Sequence, residues 1–145
     1  MFAFSPVTFR RIVRASAAYD VVVTAMFATP WTFTVLLAHL SAVNQQLGGQ
    51  AVPPFDTFGV LIACLLGSVV MVWSVLRLRD PQALYGRFDA ATRLLFSTWM
   101  AWALVQTQAP VLWLFVVPEL AWGVVQLWPL VEQRGAGGPA QGQGA

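Results

Sequence analysis

The chain has 145 residues, 58% of them hydrophobic and 10% charged, with a mean hydropathy of +0.68. A soluble domain carries about 25% charged residues, so the composition excludes an ordinary soluble domain and points to a membrane protein. The net charge of +2 arises from six acids and eight basic residues, every one an arginine, and their placement matters more than their sum.

The first stretch, "FRRIVRASAAYDVVV", has a basic start. Asp20 interrupts its apolar run and no small-x-small cleavage site follows, so it reads as a retained helix rather than a secretory signal. A helix crosses the hydrocarbon core in about 20 residues. The first predicted span begins near Ile12 and runs through "ASAAYDVVVTAMFA". Thr29 and Pro30 then form a plausible cap and first position of a helix. Phe33, Leu36, Leu37, Leu40, Val43 and Leu47 follow at helical spacing, and Gly48–Gly49 ends the run. Two geometries fit. The favoured one is a first span over residues 12–40 with a bend near Pro30. The other is a short span that stops near Ala28, with a second helix lying in or dipping into the outer leaflet. "GGQAVPPFD" is then an outer loop without regular structure.

The second span covers residues 58–76 and is the most continuously apolar. Asp80-Pro81 stops it. Asp89 is expected to cap the third span, residues 91–107, with Ala90 opening it. "QTQAP" is a short outer turn, so the third span and the fourth, 111–130, form a tight hairpin. Residues 134–145 are low-complexity and expected to be disordered.

The arginines orient the bundle. Arg10, Arg11 and Arg14 precede the first span, Arg77, Arg79, Arg87 and Arg93 lie between the second and third, and Arg134 follows the fourth. The other two connections carry no Lys or Arg. The positive-inside rule therefore predicts four antiparallel helices with both chain ends in the cytoplasm. The expected fold is an all-α, integral-membrane four-helix bundle.

Few polar residues interrupt the spans, and those few are the candidates for function. An acid at mid-bilayer costs about 2.5–3.5 kcal/mol on insertion scales, so Asp20 and Glu119 should both face the bundle interior. Counted from the arginine-rich end, they differ in depth by about one helical turn, so the two carboxyls can approach. Arg93 can reach inward from the border of the third span. In the structural reading, Asp20 pairs with Arg93 while Glu119 stays protonated and bonds to Thr24, Ser97, Thr98 or Gln126. In the functional reading, the two acids and Arg93 form a polar site with His39 or Asn44 above it. Pro118 frees the carbonyl at Leu114 and so favours a polar pocket beside Glu119.

Trp99 and Trp102, one turn apart, are candidates to line an apolar ligand pocket. Gly59, Ala63 and Gly67 form a small-residue stripe, which suits either packing inside the chain or a homo-oligomer face. Cys64 is the only cysteine and reads as a buried core thiol. His39 reads as an interfacial side chain, and neither a metal site nor a cofactor motif is present in the sequence. The inner arginines suit membrane lipid phosphates better than nucleic acid.

The alternation "LRLRDPQALYGRFDAATRLLFSTWMAWAL" resembles the DoxX-like group of small four-helix inner-membrane proteins of bacteria, over residues 60–130 at most. The resemblance implies a bacterial inner membrane and carries over no catalytic residue. Three functional readings follow: binding of a small apolar or amphipathic ligand or of a partner membrane protein; an intramembrane enzyme acting on a lipid or isoprenoid, with Asp20 and Glu119 as acid and base; and, third, proton-linked transport by an oligomer.

Overall fold

A computed structural model describes residues 3–130 of the chain. The low-complexity stretch at 134–145 lies outside the described residues. Five α-helices account for most of the rest: α1 Pro6–Thr24, α2 Pro30–Gln46, α3 Thr57–Arg79, α4 Ala83–Thr107 and α5 Trp113–Leu127, with single 3₁₀ turns at Ala25–Phe27 and Pro110–Leu112. Among the described residues the only β-type pairing is an isolated bridge between Phe4 and Leu130.

The helix starts follow from local chemistry. Ser5 caps α1 by accepting from the Thr8 amide, and Pro6 occupies the first turn, where a missing amide hydrogen costs nothing. Thr29 caps α2 in the same way, with Pro30 behind it. Asp56 caps α3 by accepting from the Gly59 amide at 2.6 Å. Gln108 ends α4 in the left-handed region at φ 51°.

Two expectations are corrected. Asp89 does not cap the third span: α4 opens at Ala83 behind Gln82, and Asp89 lies well inside it, 3% exposed. Its charge lowers the local hydropathy, which disguises a helical segment as a loop. Nor does one helix run on through Pro30. The axes of the Pro6–Phe27 and Pro30–Gln46 segments turn by 98°, so α2 is a separate helix laid across the end of α1.

Two helical segments, Thr57–Arg79 and Pro110–Leu127, are long and apolar enough to cross a membrane, and a third crossing counts if α1 and α2 are one broken span. α4 has the length, 25 residues, but carries Arg87, Asp89 and Arg93.

The distribution of polarity is inverted relative to a soluble protein. The fully buried residues include nine polar or charged side chains and seven hydrophobic ones. Phe58, Leu65, Val69 and Val72 on α3 and Leu95, Trp102 and Val105 on α4 are instead more than half exposed. Apolar area of this extent facing outward suits lipid, not water.

The helices pack as two pairs. α1 lies along α3 and α4 lies along α5, while the backbones of α3 and α4 lie apart although the two helices are consecutive. Glycines set the close approaches. A Cβ on Gly67 would lie 2.7 Å from the Phe27 carbonyl oxygen, and one on Gly86 would lie 2.7 Å from Val13 Cγ2. At the arginine-rich end the segment before α1 meets the segment after α5. The Phe4 amide donates to the Pro129 carbonyl at 2.8 Å. Arg87 donates to the Gln126 and Trp128 carbonyls, both at 3.0 Å, and so satisfies carbonyls that the end of α5 leaves open.

Candidate functional site

Four helices contribute to one buried ion cluster. Asp20 comes from α1, Arg77 from α3, Asp89 and Arg93 from α4, and Glu119 from α5. Arg77 Nη2 donates to Asp20 Oδ2 at 2.5 Å, and Arg77 Nη1 lies 2.5 Å from Asp89 Oδ2. Arg93 is engaged along its whole guanidinium edge. Its Nε donates to Asp89 at 3.0 Å, its Nη1 to Glu119 Oε2 at 2.8 Å, and its Nη2 to both oxygens of Asp20 at 2.7 and 2.6 Å. These contacts account for every ion pair among the described residues.

A shell of neutral groups holds the cluster in place. Ser74 and Ser16 accept from Arg77, and Gln126 Nε2 donates to Ser16 Oγ at 2.6 Å. Trp73 donates its indole N–H to Asp89 at 3.2 Å and places its ring 5.6 Å from the Arg77 guanidinium carbon. Fixed donors and acceptors of this kind allow ions to be buried at all, because removing an ion from water costs several kcal/mol.

The sequence-derived residues sort cleanly. Asp20 and Arg93 pair as expected, and Arg93 joins Asp20 to Glu119. Glu119 does not bond to Thr24, Ser97, Thr98 or Gln126. Its partner is Arg93, while Thr98 turns back to the Leu94 carbonyl and Gln126 reaches Ser16. Two members of the cluster were not singled out from the sequence as functional. Arg77 is 0% exposed, although it sits in an arginine-rich stretch that reads as a connection, and Asp89 was assigned to a cap. The signal for them is periodic: Ser16 and Asp20, Ser74 and Arg77, and Asp89, Arg93 and Ser97 fall three or four apart, each set on one helix face.

The cluster forms the floor of a cavity of about 980 Å³. Asp20, Arg93 and Glu119 line its base, and its walls are apolar, including Phe27, Leu66, Val70, Phe96 and Phe115. Leu66, Val70, Thr92 and Phe96 also line a second recess of about 560 Å³ on the α3–α4 surface, together with Trp73, Tyr85 and Phe88. The cavity and this surface recess thus share four residues of the gap between the two helix pairs.

α2 and the loop behind it form the roof. Asn44, 1% exposed, donates to the Gln50 carbonyl at 2.7 Å and accepts from the Val111 amide at 3.0 Å. Ser41 accepts from the Val52 amide, and Phe33 stacks between Phe27 and Phe55 at 5.6 and 5.4 Å.

Comparison with family models, curated proteins and solved structures returns no match. The site is therefore argued from its own chemistry.

Trp99 lines the cavity at its rim, whereas Trp102 is 61% exposed and is not part of the lining. Gly59, Ala63 and Gly67 line the cavity, and Gly67 is packed on Phe27 of the same chain. Cys64 is half-buried on α3 and takes no part in the site. His39 lies on the exposed side of α2, its ring Nδ1 2.8 Å from the Val35 carbonyl. Pro118 interrupts the hydrogen bonding of α5 directly beside Glu119. Among the described residues no group of three His, Cys, Asp or Glu side chains is arranged to hold a metal ion.

Proposed function

We propose that the chain is a four-span protein of a bacterial inner membrane that binds a single amphipathic molecule drawn from the surrounding lipid. The observation that carries this reading is an apolar cavity, floored by ions, that shares Leu66, Val70, Thr92 and Phe96 with a recess on the α3–α4 surface. A ligand seated here keeps its apolar body among Leu66, Val70, Phe96 and Phe115 while its polar end meets Glu119 and Asp20. Sites of this kind, apolar walls with a few fixed polar groups, orient a ligand by its head.

Arginine placement supports the threading. Arg10, Arg11, Arg14 and Arg79 lie at the end where Phe4 meets Leu130, and the opposite connections, residues 47–56 and 108–109, carry no Lys or Arg. The positive-inside rule puts that end in the cytoplasm. α2 then lies near the outer interface as a cover. Catalysis by Asp20 is the weaker reading, because both of its oxygens are engaged by guanidinium groups.

The test is retention of lipid. The protein purified in native bilayer discs is extracted and its bound lipid analysed by mass spectrometry, beside an Ala63→Trp variant that fills the cavity. A species enriched with the parent and lost with the variant supports the reading. Identical lipid profiles overturn it.

A further inference from the structure

The cluster is not electrically balanced. Three carboxylates, Asp20, Asp89 and Glu119, face two guanidinium groups, Arg77 and Arg93, which leaves one formal negative charge in excess. Among the described residues no other charged group is paired with the cluster. Arg87 is turned to the end of α5, Asp56 caps α3, and Asp80 is bonded to Gln82. An uncompensated charge in a low-dielectric interior is costly, and its location decides what relieves it.

The surplus falls on Glu119. Asp20 and Asp89 each receive both guanidinium groups. Among the described residues Glu119 receives one bond, at Oε2, and Oε1 accepts none. Its side chain keeps 15% of its surface, against 9% and 4% for Asp20 and Asp89, and Glu119 lines the cavity. The donors are the opposite case. Arg93 directs all three of its nitrogens to carboxylates, so it presents no free edge to a ligand. The polar floor of the cavity therefore offers an acceptor and a negative charge. An anionic head would meet a second anion with no free guanidinium edge to receive it. A neutral head that only accepts would find no charged donor free to bond it, only hydroxyls such as that of Thr24.

We propose that the ligand's head is a hydrogen-bond donor bearing positive charge, an aliphatic ammonium group seated on Glu119 Oε1, and that the site rejects fatty acids and anionic lipids. This rests on the amphiphile-binding reading above and specifies its ligand class.

The experiment uses the full chain in discs of zwitterionic phosphatidylcholine. Dodecylamine, dodecanol and dodecanoate share one tail and differ only in the head. Each is titrated into the bilayer, and the thermal unfolding midpoint is followed against bilayer mole fraction, since a ligand that binds the folded state raises it. Dodecylamine is expected to reach half-effect at a mole fraction about tenfold below that of the other two, a gap that corresponds to one decade of affinity. Glu119→Gln is expected to collapse the difference between amine and alcohol. The head-group ranking on the parent chain needs no variant and decides the matter if Glu119→Gln fails to fold. Equal effects of all three, or a preference for dodecanoate, overturn the charge assignment and leave the amphiphile site standing. If none of the three shifts the midpoint, the amphiphile reading falls and this inference falls with it.

Discussion

Arg93 Nη2 bonds both carboxylate oxygens of Asp20, at 2.7 and 2.6 Å, across 73 residues of sequence. The contact ties α1 to α4, which also approach where Gly86 faces the side chains of Phe9 and Val13. It is also the single side chain whose loss strands the most charge.

Replacing Arg93 by Met should therefore be the most damaging single change in the cluster. It leaves Asp20, Asp89 and Glu119 with only Arg77 among them. Breaking a buried pair in this way typically costs about 3–5 kcal/mol. Reversible unfolding in mixed micelles should show that loss, with part of it regained in the Arg93→Met/Asp20→Leu double variant. A loss under about 1 kcal/mol for the single variant would mean that the cluster is hydrated and weak.

Asp20→Asn and Glu119→Gln should behave differently despite identical chemistry. Asp20 receives both guanidinium groups, whereas Glu119 receives one bond and carries the surplus charge. Asp20→Asn is expected to lower the unfolding free energy by about 2–3 kcal/mol, in the range for a hydrogen-bonded charge lost from an interior. Glu119→Gln keeps an acceptor for Arg93 and removes the excess, so it should be neutral or stabilising. Equal destabilisation by the two would contradict the charge count.

Gly67 and Gly123 offer a steric contrast. A Cβ on Gly67 meets the Phe27 carbonyl oxygen at 2.7 Å, while one on Gly123 finds nothing nearer than Arg93 Cβ at 3.6 Å. Gly67→Ala should cost about 1–3 kcal/mol through overpacking, and Gly123→Ala should cost nothing measurable. Unfolding midpoints of the two variants, measured side by side, check the difference.

Threading is checked with a thiol reagent that cannot cross the bilayer. In a Cys64→Ala background, Ser5→Cys and Asp80→Cys should be modified from the same face, and Gln108→Cys from the other. Modification of Ser5→Cys and Asp80→Cys from opposite faces would break the four-span arrangement.

How much of this was legible follows the physics of each signal. The Thr29–Pro30 start was readable because cap and proline act within one turn. The pairing of Asp20 with Arg93 was readable from depth alone, because each charge needs a partner and few are available. Arg77 and Asp89 were missed for the opposite reason. Their charges lower the local hydropathy, so the ends of α3 and α4 look like a loop. A bend near Pro30 was expected, but its size, 98°, was not legible. Helical spacing reports a helix but says nothing of its direction, which is set by contacts of Asn44 with residues far along the chain. Trp102 was read with Trp99 because they are one turn apart, yet both are more than half exposed and only Trp99 reaches the cavity lining.

The cluster also bears on how the chain is made. Asp20 is synthesised before either of its arginine partners, and Arg77 and Arg93 before Glu119. In a bilayer, α1 must therefore wait, shallow or sheltered beside the insertion machinery, until α3 and α4 arrive to neutralise it. α5 must follow before Arg93 is fully matched. Ribosome-stalled chains that end before Arg77 should remain loosely held, and firm seating should come late, as one step shared by all the helices.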